Sequence, residues 1–431
     1  ESNNLNITIE LTILLKKIRS SKYVKEIEVQ GHLIDSMILT RIFDHIMDLQ
    51  GDFKVKEFRI GQGKNDYSYA KLAVYGKNKS HLSQILNEIY SAGGISVELQ
   101  NIQYTKITKN SVLPENFYST TNNPTFVYLN NKWIKVKNQM MDKAIIIDPI
   151  KNTAVCSMLR NINKGDFVVV GEEGIKIVPP ERPREGLDSF QFMSSHTSTE
   201  KPIQSISSKL ARDLVSIKKN KGKIIVVGGP AIVHTGAVDV LAQLIRLGFV
   251  HGILAGNALL VHDVEHALLG TSLGIDVKHG SSTHMGHRNH IVAVNELFKA
   301  GSVKKLVKSG KINSGIFYEC EKNNVPYVLA GSIRDDGPAP DVITDVVEAQ
   351  KQYQKILSNA DLVIMLSTML HSIAVGNMIP STVKVVAIDI NPSSVTKLLD
   401  RGTGQAIGVV SDVGSFLPIL LNDIKKMSKT R

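Results

Sequence analysis

The sequence predicts an α/β protein in which a parallel, helix-covered sheet follows a ferredoxin-like α+β domain and a small β-rich domain. Three patterns carry this reading. Near-continuous apolar runs alternate with helical stretches in residues 206–431, a β-α-β-β-α-β alternation fills residues 23–106, and short β-branched runs separated by turn signals fill residues 107–182. Residues 1–22 read as a leader and 183–205 as a linker.

Within the first domain, Val24–Gln30 alternates as a strand, and Leu33–Gln50 carries apolar residues at helical spacing before stopping at Gly51. Phe53–Ile60 and Tyr67–Tyr75 follow as alternating strands. A helix from about Asn78 to Ala92 ends at Gly93-Gly94, and Ile95–Leu99 closes the split βαβ pattern. Such a fold serves binding, oligomer contacts or sensing, and by itself says little about chemistry. From Thr125 to Val178 the runs FVYL, WIKVK, AIIID, AVCSML, FVVVG and IKIV read as a small barrel or β-rich insert. Cys156 lies in one of them and reads as a buried structural thiol, with no histidine near it in sequence. Pro179–Pro202 turns to Pro, Ser, Thr and charge, as a linker or covering loop does.

Composition narrows the function classes. Of the 431 residues, 42% are hydrophobic and 21% charged, and no segment reaches the ~18 uninterrupted apolar residues of a membrane span. The start shows no basic region followed by a small-residue cleavage site, so no export is expected. Two distant cysteines indicate neither a disulfide framework nor a Cys-ligated zinc site, and a reducing cytoplasm fits. The net charge of +11 is scattered, without a basic stripe interleaved with aromatics, so neither nucleic acid nor membrane is an expected partner.

The C-terminal domain is organised around Lys223–Ala237, KIIVVGGPAIVHTGA. A strand runs into Gly228, Gly229 and Pro230, where the glycines permit a tight turn and Pro230 suits a first helical position. The free N–H groups of that first helical turn, that of Ala231 among them, would stabilise a pyrophosphate. Because this is not G-x-G-x-x-G, an ordinary βα turn remains open on this stretch alone. Further strands are expected at Gly252–Leu254, Pro326–Leu329, Leu362–Leu366 and Val383–Ile388, apolar throughout as strands buried on both faces are. The first two end in Gly256-Asn257 and Gly331-Ser332, which a parallel sheet places on the same edge as Gly228. The last ends in Asp389-Ile390-Asn391, a carboxylate suited to an adenosine ribose and repellent to a 2′-phosphate, so NAD is favoured over NADP. Since Asn257 stands where the ribose carboxylate usually sits, the standard Rossmann arrangement is not expected. The expected cofactor-binding set is Gly228, Gly229, Pro230, Ala231, Gly256, Asn257, Gly331, Ser332, Asp389, Asn391 and Asp412.

Polar clusters supply candidate chemistry. Seven of the 13 histidines fall between His251 and His290, with His284, His287 and His290 spaced by three. His262 and His266 stand at i, i+4, yet H-E-x-x-H is absent and no third ligand is evident, so hydrogen bonding is preferred to a metal. In GSIRDDGPAP, Arg334 flanked by Asp335 and Asp336 offers a carboxylate clamp beside acceptors for ammonium; a solvated turn with a local salt bridge is the plain alternative.

EIEVQGHLIDSMILTRIFDHIMDLQGDFKVKEFRIG and DYSYAKLAVYG resemble the conserved domain named after the lysine-ketoglutarate reductase/saccharopine dehydrogenase bifunctional enzyme. VVGGPAIVHTGA, LAGNALLVHDVEHALLGTSLG, GHRNH, YVLAGSIRDDGPAPDVITD, TMLHSIAVGNM and AIDINPSSVTKLLDRG resemble the archaeal type of ornithine cyclodeaminase, which is also fused in cyanobacterial arginine-degrading enzymes. The resemblance spans about residues 23–425. It implies NAD on a Rossmann-like domain similar to that of deoxyhypusine synthase, a homo-oligomer (dimer or tetramer), and conversion of ornithine to proline and ammonia with NAD recycled in each turnover. It transfers no catalytic list. Position at strand ends nominates Arg334 or Arg288 for the substrate carboxylate, Asp335 or Asp336 for an amine, and His287 or His284 as proton shuttle. The alternatives are an NAD-linked amino-acid or opine dehydrogenase and a non-catalytic NAD- or amino-acid-sensing module.

Overall fold

The computed structural model describes residues 23–34, 36–62, 66–178, 203–277, 286–335, 337–400 and 406–429; the expected leader and most of the expected linker lie outside them. Two compact units divide the chain between Glu185 and Gly186.

The first unit opens with β1 (Tyr23–Gly31), α1 (Ile38–Asp48), β2 (Asp52–Arg59), β3 (Ser68–Gly76), α2 (Lys79–Ser91) and β4 (Ile95–Ser96). Their order β2-β3-β1-β4 is antiparallel throughout and inserts β3 between β1 and β2, as a split βαβ unit requires. Ile27, Val29 and Leu72 on the strands meet Ile42, Ile46, Ile85 and Ile89 on the helices, which is the period-2 and period-3.6 patterning converging on one core. The Asn78 side chain accepts the His81 N–H at 2.8 Å and fixes the start of α2. Met37 takes a left-handed conformation (φ 55°), so α1 begins five residues later than its apolar spacing suggests. β4 stops at Ser96, not Leu99, because the chain leaves for the second sheet, where the Ile102 N–H donates to Tyr128 O at 2.8 Å.

That sheet comprises β5 (Gln103–Lys106), β6 (Thr125–Leu129), β7 (Lys132–Lys137), β8 (Ala144–Asp148), β9 (Thr153–Ser157), β10 (Phe167–Val170) and β11 (Ile175–Ile177). Its order is β11-β6-β7-β9-β8-β10-β5, with β7 and β9 parallel. Gln103–Lys106, grouped by sequence with the first domain, pairs with β10 here instead. Cys156 is buried on β9, and burial pushes its thiol above the usual range, so it is inert packing.

The second unit contains α3 (Ile203–Lys219), β12 (Ile224–Gly228), α4 (Ala231–His234), α5 (Val238–Arg246), β13 (Gly252–Gly256), α6 (Asn257–Leu269), β14 (Thr271–Ser272), β15 (Ile275–Asp276), α7 (Asn289–Ala300), α8 (Val303–Lys308) and α9 (Ile316–Lys322). It continues with β16 (Tyr327–Ala330), β17 (Val342–Ile343), α10 (Val346–Leu357), β18 (Leu362–Leu366), α11 (Met369–Gly376), β19 (Lys384–Asp389), α12 (Pro392–Asp400), β20 (Ala406–Val410) and α13 (Val413–Lys429). Apart from the β14–β15 hairpin, the strands form one parallel sheet in the order β17-β16-β13-β12-β18-β19-β20. Leaving aside the edge strand β17, this is the 3-2-1-4-5-6 Rossmann order. The expectation of a non-standard arrangement is thus corrected: only the ribose-carboxylate position departs. Strands β12 and β18 are buried along their whole length, which explains their unbroken apolar runs. Among the described residues no helix is long and apolar enough to cross a membrane.

Candidate functional site

In a parallel sheet of this order, the crossovers from β12 and β18 leave in opposite directions, so a crevice opens beyond their carboxyl ends. The Gly229 N–H donates to Leu366 O at 2.9 Å, tying the two strand ends together. A Cβ on Gly229 would lie 2.1 Å from Ser367 O, so no side chain fits at this point. Opposite it, Ser367 is held at φ 49°, a conformation that costs a non-glycine residue energy and concentrates at ligand sites. Pro230 occupies the N-cap and not the first helical position, and the helix it opens is the single turn Ala231–His234. The crevice therefore offers close backbone approach and the Ala231 N–H more than the dipole of a long helix.

The other predicted strand-end residues divide into two groups. Gly256, Gly331, Asp389 and Asn391 lie at the carboxyl edge of the sheet. Asp389 is partly exposed and, among the described residues, its side chain accepts the Asn391 N–H alone, at 2.8 Å, which leaves carboxylate capacity for a ligand. By contrast, Asn257 is buried with its Oδ1 accepting the Ala339 N–H at 3.1 Å, and Asp412 accepts the Ser415 N–H at 3.0 Å as the cap of α13. Those two side chains hold loops and helices. Ser332 and Asp335 bond one another, the Ser332 N–H reaching the Asp335 carboxylate at 2.7 Å, while Arg334 stands exposed at the tip of the turn.

Beside that turn lies a residue the sequence reading passed over inside TMLHSIAVGNM. His371 packs against Gly256, where a Cβ would come within 2.7 Å of Nε2. Its Nδ1 lies 3.3 Å from Tyr353 Oη, and that hydroxyl donates to Ala255 O at 2.7 Å. Burial pushes the imidazole below its usual pKa, with the Asp335 charge opposing.

Histidines and one carboxylate gather where α4, α6 and α7 meet. His262 Nδ1 lies 3.4 Å from Glu265 Oε2, and His290 Nδ1 lies 3.9 Å from the same oxygen. The His262 ring packs at 4.7 Å from His234 and 4.9 Å from His290, and His234 Nδ1 bonds Ser272 Oγ at 2.7 Å. Glu265 is fully buried, accepting from Thr271 Oγ1 at 2.8 Å, Gly274 N–H at 2.9 Å and Leu273 N–H at 3.2 Å. Burial alone would raise its carboxyl, but hydrogen bonds from His262, Gly274, Thr271 and Leu273 outweigh that and hold it down to about 2. His234 and His290 are pushed below the usual histidine value by burial, then by His262, with Glu265 opposing. An ionised carboxylate thus stands behind His262, flanked by two imidazoles, His234 and His290, whose neutral form burial favours, the arrangement of an oriented general base.

The sequence spacing misjudged this cluster. Among the described residues the buried Nδ1 of His266 and that of His290 both lack a hydrogen bond, but it is Glu265 at i+3 and His290 from α7 that join His262 with ligating atoms within 4.8 Å, close enough to hold a metal ion. A third ligating group is therefore present, contrary to expectation. Neighbouring Asp263 is spent elsewhere, its oxygens accepting the Ile316 and Phe317 N–H groups that begin α9. Arg288 stands exposed at the start of α7. His284 and Asp336 lie outside the described residues, as does the side chain of His287.

Three family models tile the chain: the LOR/SDH bifunctional enzyme conserved region over 24–123, the first region of the arginine dihydrolase ArgZ-like C-terminal part over 124–207, and its Rossmann fold over 208–420. The ornithine cyclodeaminase of Methanocaldococcus jannaschii is 52% identical over 412 residues, covering 94% of this chain and 97% of that protein. The apo structure of ArgZ, an arginine dihydrolase from the ornithine–ammonia cycle in cyanobacteria, matches 94% of this chain and 59% of its own at 38% identity with a TM-score of 0.82. The ternary complex of AgrE with ornithine and NAD+ matches 95% of this chain and 58% of its own at 39% identity with a TM-score of 0.53. The chain belongs to the archaeal ornithine cyclodeaminase family.

Proposed function

We propose that the protein converts L-ornithine to L-proline and ammonia with NAD held in the β12–β18 crevice. The observation that carries the reading is the presence, within one unit, of a dinucleotide crevice and an oriented histidine–carboxylate group. The crevice suits the cofactor: Gly229 leaves no room for a side chain where a pyrophosphate would approach, and Asp389 presents a carboxylate at the strand end where a ribose would lie. NAD bound there supplies the oxidation at Cα and the later reduction of the ring imine, so no net reductant is consumed.

The chain's own residues supply orientation and acid–base work. Ornithine's α-ammonium must lose a proton before Cα can be oxidised, and the His234–His262–His290 group, in which burial favours the neutral form of His234 and His290, takes it. Glu265 stays ionised throughout and stabilises the imidazolium formed on His262. Once the δ-amine has closed on the α-imine carbon, the same imidazoles return a proton to the departing α-nitrogen, which leaves as ammonia. Arg334 binds the substrate carboxylate from the exposed turn, and Asp335 with His371 positions that turn across the β13 and β16 ends. Arg288, Asp336, His284 and His287 flank these groups in sequence and complete the proposed site. The enzyme works as a homo-oligomer in a reducing cytoplasm, in keeping with two buried free thiols.

Incubating the purified protein with L-ornithine and a limiting quantity of NAD tests this. Proline and ammonia should form in equal amounts, in excess of the NAD, without lasting absorbance at the NADH band. Net NADH with no proline would identify a dehydrogenase, and no turnover a binding module.

A further inference from the structure

In the first unit, α2 packs against β11, and a cleft of ≈ 200 Å³ opens beside them, lined among others by Tyr90, Tyr118, Glu88, Glu172, Ile175 and Ile177. Tyr90, Glu172 and Ile175 also line an adjoining hollow that reaches Ser96 and Trp133. The polar groups facing this space are unbalanced. Tyr90 is 7% exposed; its hydroxyl faces that of Ser96, and neither buried oxygen meets hydrogen-bond geometry with any other partner among the described residues. Half-buried Glu172 has no ion pair or hydrogen bond among the described residues, while the nearby Lys25 is already 3.7 Å from Glu98. Glu88 and Glu173 add negative charge. Burial, and then Glu88, pushes the Glu172 carboxyl up, and burial with Glu173 and Glu172 pushes Tyr90 up to about 12.

A half-buried carboxylate without a counter-charge, beside buried hydroxyls that have at most each other, is costly unless something that donates hydrogen bonds and carries positive charge fills the space. Among the described residues Glu172 belongs to no set of three side chains able to chelate a metal ion, so an inorganic cation lacks its ligands here. The walls formed by Ile175, Ile177 and the two tyrosine rings suit a methylene chain, and the volume admits a molecule of amino-acid size. Ammonium and guanidinium groups offer three and five donors to the waiting oxygens. We propose that this cleft is a second binding site, for a small organic cation bearing an aliphatic amine or guanidine, held by Glu172 with Tyr90 and Ser96.

Trp133 is the single tryptophan of the chain and lines the hollow, so its fluorescence reports the site directly. The protein, with both units present, is titrated with agmatine, which carries both cations and no carboxylate. A saturable change in Trp133 emission is expected, weakened at least tenfold in Glu172→Gln and severalfold in Tyr90→Phe, with ornithine turnover in the absence of agmatine unchanged in both. The Tyr90→Phe arm stands if Glu172→Gln does not fold. No saturable change in the unsubstituted protein would overturn the proposal, as would equal affinity in the variants. So would a signal lost in His262→Ala but kept in Glu172→Gln, which would locate the probe in the C-terminal crevice. An equivalent Glu172-dependent change with magnesium chloride alone would make the occupant a metal ion and also overturn it.

Discussion

The Glu265 carboxylate lies 3.4 Å from His262 Nδ1 while three further donors from the Thr271–Gly274 turn hold it in place. Glu265→Gln and His262→Ala should each lower kcat by about 10²-fold or more, and the double variant should lose little beyond the worse single one, as groups acting as a unit do. Steady-state kinetics on the three variants checks this; additive losses would separate the two roles.

The same carboxylate gives the fold a pH signature. Its folded value of about 2 lies below the ordinary 4.5, so its contribution is complete above 4.5 and disappears as pH falls toward 2. For turnover, the imidazoles of His234 and His290 sit below 6.5 and stay neutral to lower pH than a solvated histidine. The acid limb of kcat/KM should therefore fall below pH 6.5 in a pH–rate profile, and a limb above that value would remove these histidines as the base.

Gly229→Ala places a methyl group against Ser367 O at the crevice floor. Overpacking of this kind costs about 1–3 kcal/mol, and the displaced strand end should also weaken NAD at least tenfold. Thermal unfolding with and without NAD separates the two effects; a variant with unchanged NAD affinity would move the cofactor elsewhere.

Asp389→Ala removes the carboxylate assigned to the ribose without touching the sheet core. NAD affinity should drop about tenfold and the preference for NAD over NADP should shrink, as measured by titration with each nucleotide. Equal affinities for the variant and the parent would assign that side chain only to the Asn391 turn it also caps.

What could be read from the sequence follows from the range of the forces involved. Strands and glycine-bearing strand ends were legible because each depends on local requirements: Gly229 must lack a Cβ where it stands, and Leu362–Leu366 must be apolar on both faces. Strand order was not, since nothing local tells β12 that β13 and β18 flank it, and the substitution of Asn257 for an acidic residue pointed away from the standard order. Asn257 itself was assigned to the cofactor, but a polar residue at a strand end serves a loop equally well, here through Ala339. Glu265 stood in plain view in HDVEH. It was passed over because i, i+4 spacing was weighed for a metal, whereas the working set takes i+3 on α6 and a third member from α7. His371 carries no spacing signal; only the approach of α11 to Gly256 brings it to the edge.

On the proposed mechanism, one active site oxidises ornithine at Cα and reduces the ring it has made. Single-turnover reaction of the protein, loaded with unlabelled NAD, with [2-²H]ornithine tests it most directly by mass spectrometry of the product. Proline should carry the deuterium back at C2, with none in free NADH. Deuterium accumulating in released NADH, with unlabelled or absent proline, would contradict it.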